Sequence, residues 1–226
     1  MRNILFSAFI IITGIFQGSR PEHLLVIGDS NGASAIGWAV QLARLRKNSD
    51  KILNYSISGN TIGFDNLGQD TLNTLKNIDQ YLKNAEDSLK VLDKILICLG
   101  TNDCKAVFDS VQKQIPENME RLILAIENYP YVAGNKPQVI LITPPPIADD
   151  SVLIAKYRGG SERLKKLIPV FEEIAKKYGC QFADIYHPLI NNFMSLTKDG
   201  IHLNEKGYVE AAKIINNTLD KNQNSQ

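Results

Sequence analysis

Cysteine and histidine are both scarce in this sequence, with three of each among 226 residues. Cys98, Cys104 and Cys180 show no metal-ligand spacing, and they imply no disulfide framework. Cys98 lies in an apolar run, so we expect it to be a small buried hydrophobe. A Cys104–Cys180 bridge is conceivable in an exported protein, but we expect both thiols to stay free. The sequence therefore predicts neither a metal centre nor a cofactor.

An excess of charge of either sign is also absent. The formal net charge is +1, from 25 Lys and Arg residues against 24 Asp and Glu residues. Nothing therefore indicates nucleic acid or an anionic membrane surface as a partner. Hydrophobic residues make up 44% of the chain and charged residues 22%, as in ordinary globular domains. With no internal repeat and no low-complexity segment, this length predicts one domain.

The N-terminal segment differs in composition from the rest. Arg2 precedes an apolar run from Ile4 to Phe16, and a polar segment ending in Pro21 follows it. This pattern is typical of a secretory signal peptide, and the run is too short for a membrane span. We expect residues 1–19 to be a cleaved leader and residues 20–226 to be the functional domain. The protein would then be secreted or periplasmic, without stable membrane anchoring; an uncleaved N-terminal anchor is the alternative.

Strand-like and helix-like segments alternate along the remaining chain. Apolar runs predict strands at 24–27, 52–57, 94–99, 139–142 and 181–184. Apolar residues at helical spacing predict helices at 35–46, 67–92 (one or two), 116–128, 161–178 and 203–219. In the helix at 161–178, Ser161 is the predicted N-cap, Gly179 is the residue expected to end the helix, and Pro169 would kink or split it. Asn204 is the predicted N-cap of the last helix. The alternation predicts an α/β fold, a three-layer α/β/α sandwich around a mostly parallel five-stranded sheet.

Four short motifs carry the polar residues from which a site can be built. They are Gly28-Asp29-Ser30, Gly59, Gly100-Thr101-Asn102 and Asp199-Gly200-Ile201-His202. Sites in parallel sheets form beyond the carboxyl ends of the strands, where Ser30, Gly59 and Asn102 are all expected. A nucleophilic serine needs a base, an orienting carboxylate and fixed donors for the developing oxyanion. Asp199, three residues before His202, can hold one ring nitrogen and leave the other facing the serine.

This quartet resembles the SGNH hydrolases, also called GDSL-type esterases and lipases. The resemblance extends over about residues 24–218 and implies the flavodoxin-like fold of that family. It implies that Ser30 is the nucleophile, His202 the general base and Asp199 its partner. It also implies an oxyanion hole made of the backbone N–H groups of Ser30 and Gly59 and the side-chain amide of Asn102.

The polar neighbours of these motifs receive structural roles from their context. Asp29 is expected to satisfy backbone donors in the turn that presents Ser30, and Asp103 is expected to cap a turn. The first motif of the family usually continues with leucine, whereas Asn31 stands here. A polar amide beside the nucleophile argues against a greasy, lipase-like acyl pocket.

The other histidines and acids leave one assignment open. His23 and His187 are expected to be surface or packing residues, because neither has a carboxylate at catalytic spacing in a turn. Asp184, at the end of the fifth predicted strand, is a rival to Asp199 as the partner of His202. We prefer Asp199 because it belongs to the motif.

The sequence also suggests a substrate class through the resemblance. The runs at 99–103 and 144–147 resemble the arylesterase and carbohydrate-esterase members, which favour short acyl groups such as acetyl. We therefore expect a secreted serine esterase acting on acetyl esters of a small molecule or carbohydrate, with Trp38 or Tyr157 as candidate stacking surfaces. The alternatives are a lysophospholipase or acyl-thioesterase, a non-catalytic carbohydrate-binding relative, and acyl transfer to an alcohol instead of water.

Overall fold

The structure is a computed structural model that describes residues 20–47 and 50–221. The predicted signal peptide, residues 1–19, lies outside the described residues. Within the described ranges the strands are β1 (His23–Gly28), β2 (Lys51–Asn54), β3 (Lys94–Cys98), β4 (Gln138–Ile142) and β5 (Gln181–Ala183). They form one sheet in the order β2-β1-β3-β4-β5, and all neighbours are parallel. The predicted five-stranded parallel sheet is confirmed.

Helices connect the strands and cover both faces of the sheet. They are α1 (Ser30–Ala33), α2 (Trp38–Leu45), α3 (Thr74–Leu89), α4 (Gln114–Asn128), α5 (Gly160–Lys177), α6 (Tyr186–Ile190), α7 (Phe193–Leu196) and α8 (Glu205–Lys221). Short 3₁₀ turns occur at Asn66–Gly68, Asp70–Leu72, Ala106–Val111 and Ala155–Tyr157. The helix predicted at 35–46 is α2, which begins at Trp38. The short helix α1 comes before it, directly after β1, and was not predicted.

The apolar residues of the strands alternate between two cores. One face of the sheet, including Leu25 and Ile27 of β1, packs against α3, α4 and α5. The other face, including Leu24 and Val26, packs against α2 and α8. Burial on both faces explains why the strands appear in the sequence as continuous apolar runs. The three-layer α/β/α sandwich is confirmed.

The register of the central strands decides where the functional motifs leave the sheet. Gly28, the last residue of β1, pairs with Cys98, the last residue of β3. Ser30 and Asn102 therefore follow strands that end level with each other, at the carboxyl edge where parallel sheets build their sites.

The edge strand β2 is shorter than predicted, since it ends at Asn54 and not at residue 57. The next residues still run alongside β1. The N–H groups of Tyr55 and Ile57 donate to β1 carbonyls at 2.8 and 3.1 Å. The chain thus reaches the same carboxyl edge before it turns at Gly59.

Helix α5 departs from the prediction at its start and agrees with it at its end. It begins at Gly160, and its N-cap is Gly159, whose φ of +72° lies in the left-handed region that favours glycine. The prediction of Ser161 as N-cap is wrong, because a local hydroxyl signal does not reveal this backbone conformation. Gly179 follows the helix with a φ of +64°, as expected of the residue that ends it.

Pro169 lies inside α5 without splitting it. Proline removes the hydrogen bond to the carbonyl four residues earlier, that of Lys165. Both Pro169 and Lys165 are exposed, so water can satisfy that carbonyl. At α8 the predicted cap is confirmed: Asn204 Oδ1 accepts from the Gly207 N–H at 3.1 Å.

The cysteines are free thiols, with Cys98 and Cys104 buried and Cys180 partly buried. Burial raises the pKa of the Cys180 thiol to about 11, so it is protonated at neutral pH. Within residues 20–47 and 50–221, no helix has both the length and the apolar character needed to cross a membrane.

Candidate active site

The turn after β1 presents Ser30 with its own N–H group unused. Asp29 is buried, and its carboxylate accepts from the Asn31 N–H at 2.9 Å. The Asp29 carbonyl accepts from the N–H groups of Gly32 and Ala33 at 3.1 and 2.9 Å. Among the described residues, none accepts a hydrogen bond from the Ser30 N–H. Asp29 therefore has the structural role expected of it, although burial raises its pKa against the opposing Asn31 hydrogen bond.

Ser30, His202 and Asp199 form a continuous hydrogen-bonded chain. Ser30 Oγ lies 2.9 Å from His202 Nε2, and His202 Nδ1 lies 2.7 Å from Asp199 Oδ2. The other carboxylate oxygen, Asp199 Oδ1, accepts from the His202 N–H at 2.7 Å. Burial alone would raise the pKa of Asp199, but these backbone and imidazole hydrogen bonds outweigh it and lower the pKa. The carboxylate is therefore ionised at neutral pH and can orient the ring.

The side chain of Asn31 holds the loop that carries His202 against the turn that carries Ser30. Asn31 Oδ1 accepts from the Leu203 N–H at 3.0 Å, and Asn31 Nδ2 donates to the Ile201 carbonyl at 3.4 Å. These two backbone groups flank His202 on either side. Because Asn31 is fully buried in this role, the expectation that it makes the acyl pocket more polar is wrong.

The rival acid Asp184 belongs to a different histidine. Asp184 Oδ2 lies 2.7 Å from His187 Nδ1, and Asp184 Oδ1 accepts from the His187 N–H at 3.1 Å. This i, i+3 pairing has the same form as that of Asp199 with His202. The expectation that His187 has no carboxylate at such spacing is therefore wrong. β5 ends at Ala183, one residue earlier than predicted, so Asp184 lies in the turn before α6.

Gly59 adopts a backbone conformation that an L side chain rarely takes. Its φ is +91°, and a Cβ here would crowd Asn66 Nδ2 and Leu72 Cδ1, each at 3.3 Å. Asn66, which is fully buried, donates from Nδ2 to the Gly59 carbonyl at 2.5 Å. No described residue accepts a hydrogen bond from the Gly59 N–H, so this group is available to a ligand.

The amide of Asn102 is held on both sides. Asn102 Nδ2 donates to the Asn60 carbonyl at 3.0 Å, while Asn102 Oδ1 accepts from the Tyr157 hydroxyl at 3.0 Å. An amide NH₂ group has two hydrogens, so one remains for a ligand.

Tyr157 is buried, and Trp38 is fully buried on the other side of the sheet, so neither is the sugar-stacking surface that the sequence suggested.

Asp103 joins the two loops that carry Gly59 and Asn102. Both of its carboxylate oxygens accept from the Ile62 N–H, at 3.0 and 3.2 Å. Asp103 is fully buried, and desolvation raises its pKa to about 7 despite this hydrogen bond. It therefore bridges loops from two strands, a larger role than the turn cap expected from the sequence.

Comparison with known proteins identifies the family of the chain. The sequence profile of the GDSL-like lipase/acylhydrolase family matches residues 15–209. The chain belongs to this family. It is therefore a member of a family of ester-hydrolysing enzymes, and the four motifs identified above lie within the matched region.

Individual relatives point in the same direction. An acetylxylan esterase of Xylanibacter ruminicola is 31% identical over 136 residues, which are 54% of this chain and 28% of that enzyme. A carbohydrate acetylesterase family member from Sinorhizobium meliloti has a similar structure, with a TM-score of 0.74 at 20% identity over 88% of this chain and 98% of that one. The native aryl esterase of M. smegmatis gives a TM-score of 0.72 at 21% identity over 88% and 99%. The structural likenesses show the fold, and the chain spans little more than a quarter of the acetylxylan esterase.

We predict that Tyr157→Phe lowers kcat for an ester substrate by about tenfold with little change in KM. Removing the hydroxyl leaves Asn102 Oδ1 without its donor, so the amide loses the contact that keeps its NH₂ group in place. Steady-state hydrolysis of p-nitrophenyl acetate measures this, with Tyr129→Phe as a matched control on a tyrosine at the C-terminal end of α4. An unchanged kcat in a folded Tyr157→Phe protein would contradict the role assigned to Tyr157.

We predict that Asp103 makes the protein less stable as pH rises. Its pKa in the folded state, about 7, lies above the ordinary value of 3.8, so the stability contributed by the neutral acid is lost between these pH values. Asp103→Asn cannot ionise and keeps one acceptor oxygen for the Ile62 N–H. Urea unfolding of both proteins at pH 5 and 8 should show the variant gaining relative stability at the higher pH. A difference in unfolding free energy that does not depend on pH would count against this assignment.

Proposed function

We propose that the protein is a serine esterase that removes acetyl groups from a carbohydrate or a small-molecule ester. The observation that carries the proposal is the hydrogen-bonded chain from Ser30 Oγ through His202 to Asp199, with separations of 2.9 and 2.7 Å. A serine hydroxyl within reach of an imidazole that a carboxylate orients is the arrangement of a nucleophile with its base.

In the first step His202 Nε2 takes the proton of Ser30 Oγ as that oxygen attacks the ester carbonyl. Asp199 stabilises the imidazolium that forms and keeps the correct nitrogen facing the serine. The carbonyl oxygen becomes an oxyanion, and the N–H groups of Ser30 and Gly59 with the Asn102 amide are the donors that stabilise it. One such donor contributes about 3–4 kcal/mol to transition-state stabilisation.

The second half of the reaction uses the same groups. The tetrahedral intermediate collapses, the C–O bond to the alcohol breaks, and His202 gives its proton to the departing oxygen. The acetyl group is now bound to Ser30. A water molecule loses a proton to His202 and attacks this ester, and collapse of the second intermediate releases acetate and restores the serine.

The acetyl and carbohydrate parts of the proposal come from similarity. The acetylxylan esterase and the carbohydrate acetylesterase family member described above are named for such substrates, and the sequence runs at 99–103 and 144–147 resemble the same branch. We also propose that the protein acts outside the cytoplasm, on the composition of residues 1–19. The buried positions of Asn31, Trp38 and Tyr157 add no support to the carbohydrate part.

We predict that activity falls as the acyl chain lengthens. Residues 20–226 should hydrolyse p-nitrophenyl acetate faster than the butyrate and octanoate, with the Ser30→Ala protein as the background. Activity that rises with chain length would favour the lysophospholipase or thioesterase alternative. A folded protein with no serine-dependent activity would leave the non-catalytic binding alternative as the better explanation. Acetyl transfer to a sugar acceptor, seen among the products, would favour an acyltransferase.

We predict that Ser30→Ala and His202→Ala each lower kcat by several orders of magnitude, and that the double variant loses no more, because the two residues act as one unit. Asp199→Asn should lower kcat less than His202→Ala, since the Asp199 side chain is about half exposed and water screens its charge. Steady-state kinetics of the four proteins, with circular dichroism as the folding control, measures this. Additive losses in the double variant would contradict a shared mechanism.

A further inference from the structure

Lys105 is a buried cation beside the proposed oxyanion hole. The residue is 6% exposed and lies three positions after Asn102. Its Nζ donates to Asn66 Oδ1 at 3.2 Å and lies 5.6 Å from the centroid of the Tyr157 ring. Within the described part of the chain, no carboxylate forms a salt bridge with it. A buried ammonium without an adjacent counterion costs stability, so a functional reason for its position is worth testing.

Lys105 contacts two side chains, and each of them hydrogen-bonds to a residue that carries one proposed oxyanion donor. Asn66, which accepts from the lysine, donates to the Gly59 carbonyl at 2.5 Å. Tyr157, whose ring faces the lysine, donates its hydroxyl to Asn102 Oδ1 at 3.0 Å. One ammonium group therefore contacts both supports. The Lys105 ammonium, by donating to Asn66 Oδ1, also polarises the Asn66 amide. This polarisation strengthens the hydrogen bond that the Asn66 NH₂ group donates to the Gly59 carbonyl.

We propose that Lys105 is a positioning residue of the oxyanion hole, which orients the Gly59 and Asn102 donors through Asn66 and Tyr157. Its fixed positive charge also favours the negative charge that develops on the substrate oxygen. The proposal rests on the serine esterase function proposed above and extends it to a residue outside the four motifs. It requires the ammonium form, since a neutral amine neither polarises Asn66 to the same degree nor supplies the charge.

Burial and three charged groups set the protonation of Lys105. Desolvation is the largest influence and lowers its pKa, and Lys156 lowers it further, whereas Asp103 and Asp29 raise it. Both lysines approach the Tyr157 ring, and burial raises the pKa of the Tyr157 hydroxyl, so that group stays neutral. Lys156 is exposed, and its Nζ lies 5.5 Å from the centroid of the Tyr157 ring. Among the described residues, Asn66 accepts no hydrogen bond from Lys156. Lys156 is therefore a matched control for a cation near Tyr157 that lacks the second contact.

The test compares Lys105→Met with Lys156→Met in the hydrolysis of p-nitrophenyl acetate, after subtraction of the Ser30→Ala background. We expect Lys105→Met to lower kcat by at least about tenfold with KM within about twofold, as loss of transition-state stabilisation requires. Lys156→Met should keep kcat at neutral pH. The wild-type kcat should decline at alkaline pH as Lys105 loses its proton, and Lys156→Met should move this decline to higher pH because a repelling cation is gone.

Three results would overturn the proposal. The first is a folded Lys105→Met protein with wild-type kcat, and the second is a Lys105→Met protein in which only KM changes. The third is an alkaline decline of kcat that occurs at the same pH in Lys156→Met as in the wild type. The last result does not depend on whether Lys105→Met folds, so the proposal stays testable if that variant is unstable. Failure of the esterase function itself would look different, because the wild-type protein would then show no activity above the Ser30→Ala background.

Discussion

The buried amide of Asn31 holds together two parts of the chain that are about 170 residues apart, the turn after β1 and the loop before α8. Its oxygen and nitrogen take one backbone group on each side of His202, at 3.0 and 3.4 Å. Asn31 is also the residue after Ser30, so one short segment carries both the proposed nucleophile and the side chain that holds the His202 loop. Without it, the segment of His202 would lose two of the hydrogen bonds that hold it beside Ser30 at the 2.9 Å contact.

The donors proposed for the oxyanion contact a second group of buried polar side chains. Asn66, Asp103, Lys105 and Tyr157 connect the loops after β2, after β3 and before α5, and each is at most 6% exposed. Burying such groups costs stability unless their hydrogen bonds are made. Here Asn66 and Tyr157 bond directly to Gly59 and Asn102, while Lys105 bonds to Asn66. The protein thus keeps polar groups inside an otherwise apolar sandwich where they fix the direction of the Gly59 and Asn102 donors.

The sequence was most informative where a local pattern determines the outcome. Apolar runs predicted the strands because parallel strands are buried on both faces, and the motifs after them placed Ser30, Gly59 and Asn102 at one edge. Sequence patterns could not show what a buried polar side chain contacts. Asn31 was assigned to a pocket, and Tyr157 lies 55 positions from Asn102, its partner. The N-cap of α5 is Gly159 and not the predicted Ser161, because a left-handed backbone conformation has no side-chain pattern in the sequence that would reveal it.

The central claim is that Ser30 forms the covalent intermediate, and mass spectrometry tests it most directly. The protein is mixed with p-nitrophenyl acetate, quenched in acid and digested, and the peptides are searched for an added acetyl group. This account predicts an acetyl group on the hydroxyl of Ser30, and none on that peptide from the His202→Ala protein within the same time. Steady hydrolysis by the wild-type protein with no acetyl group on Ser30, or with the group on another residue, would contradict it.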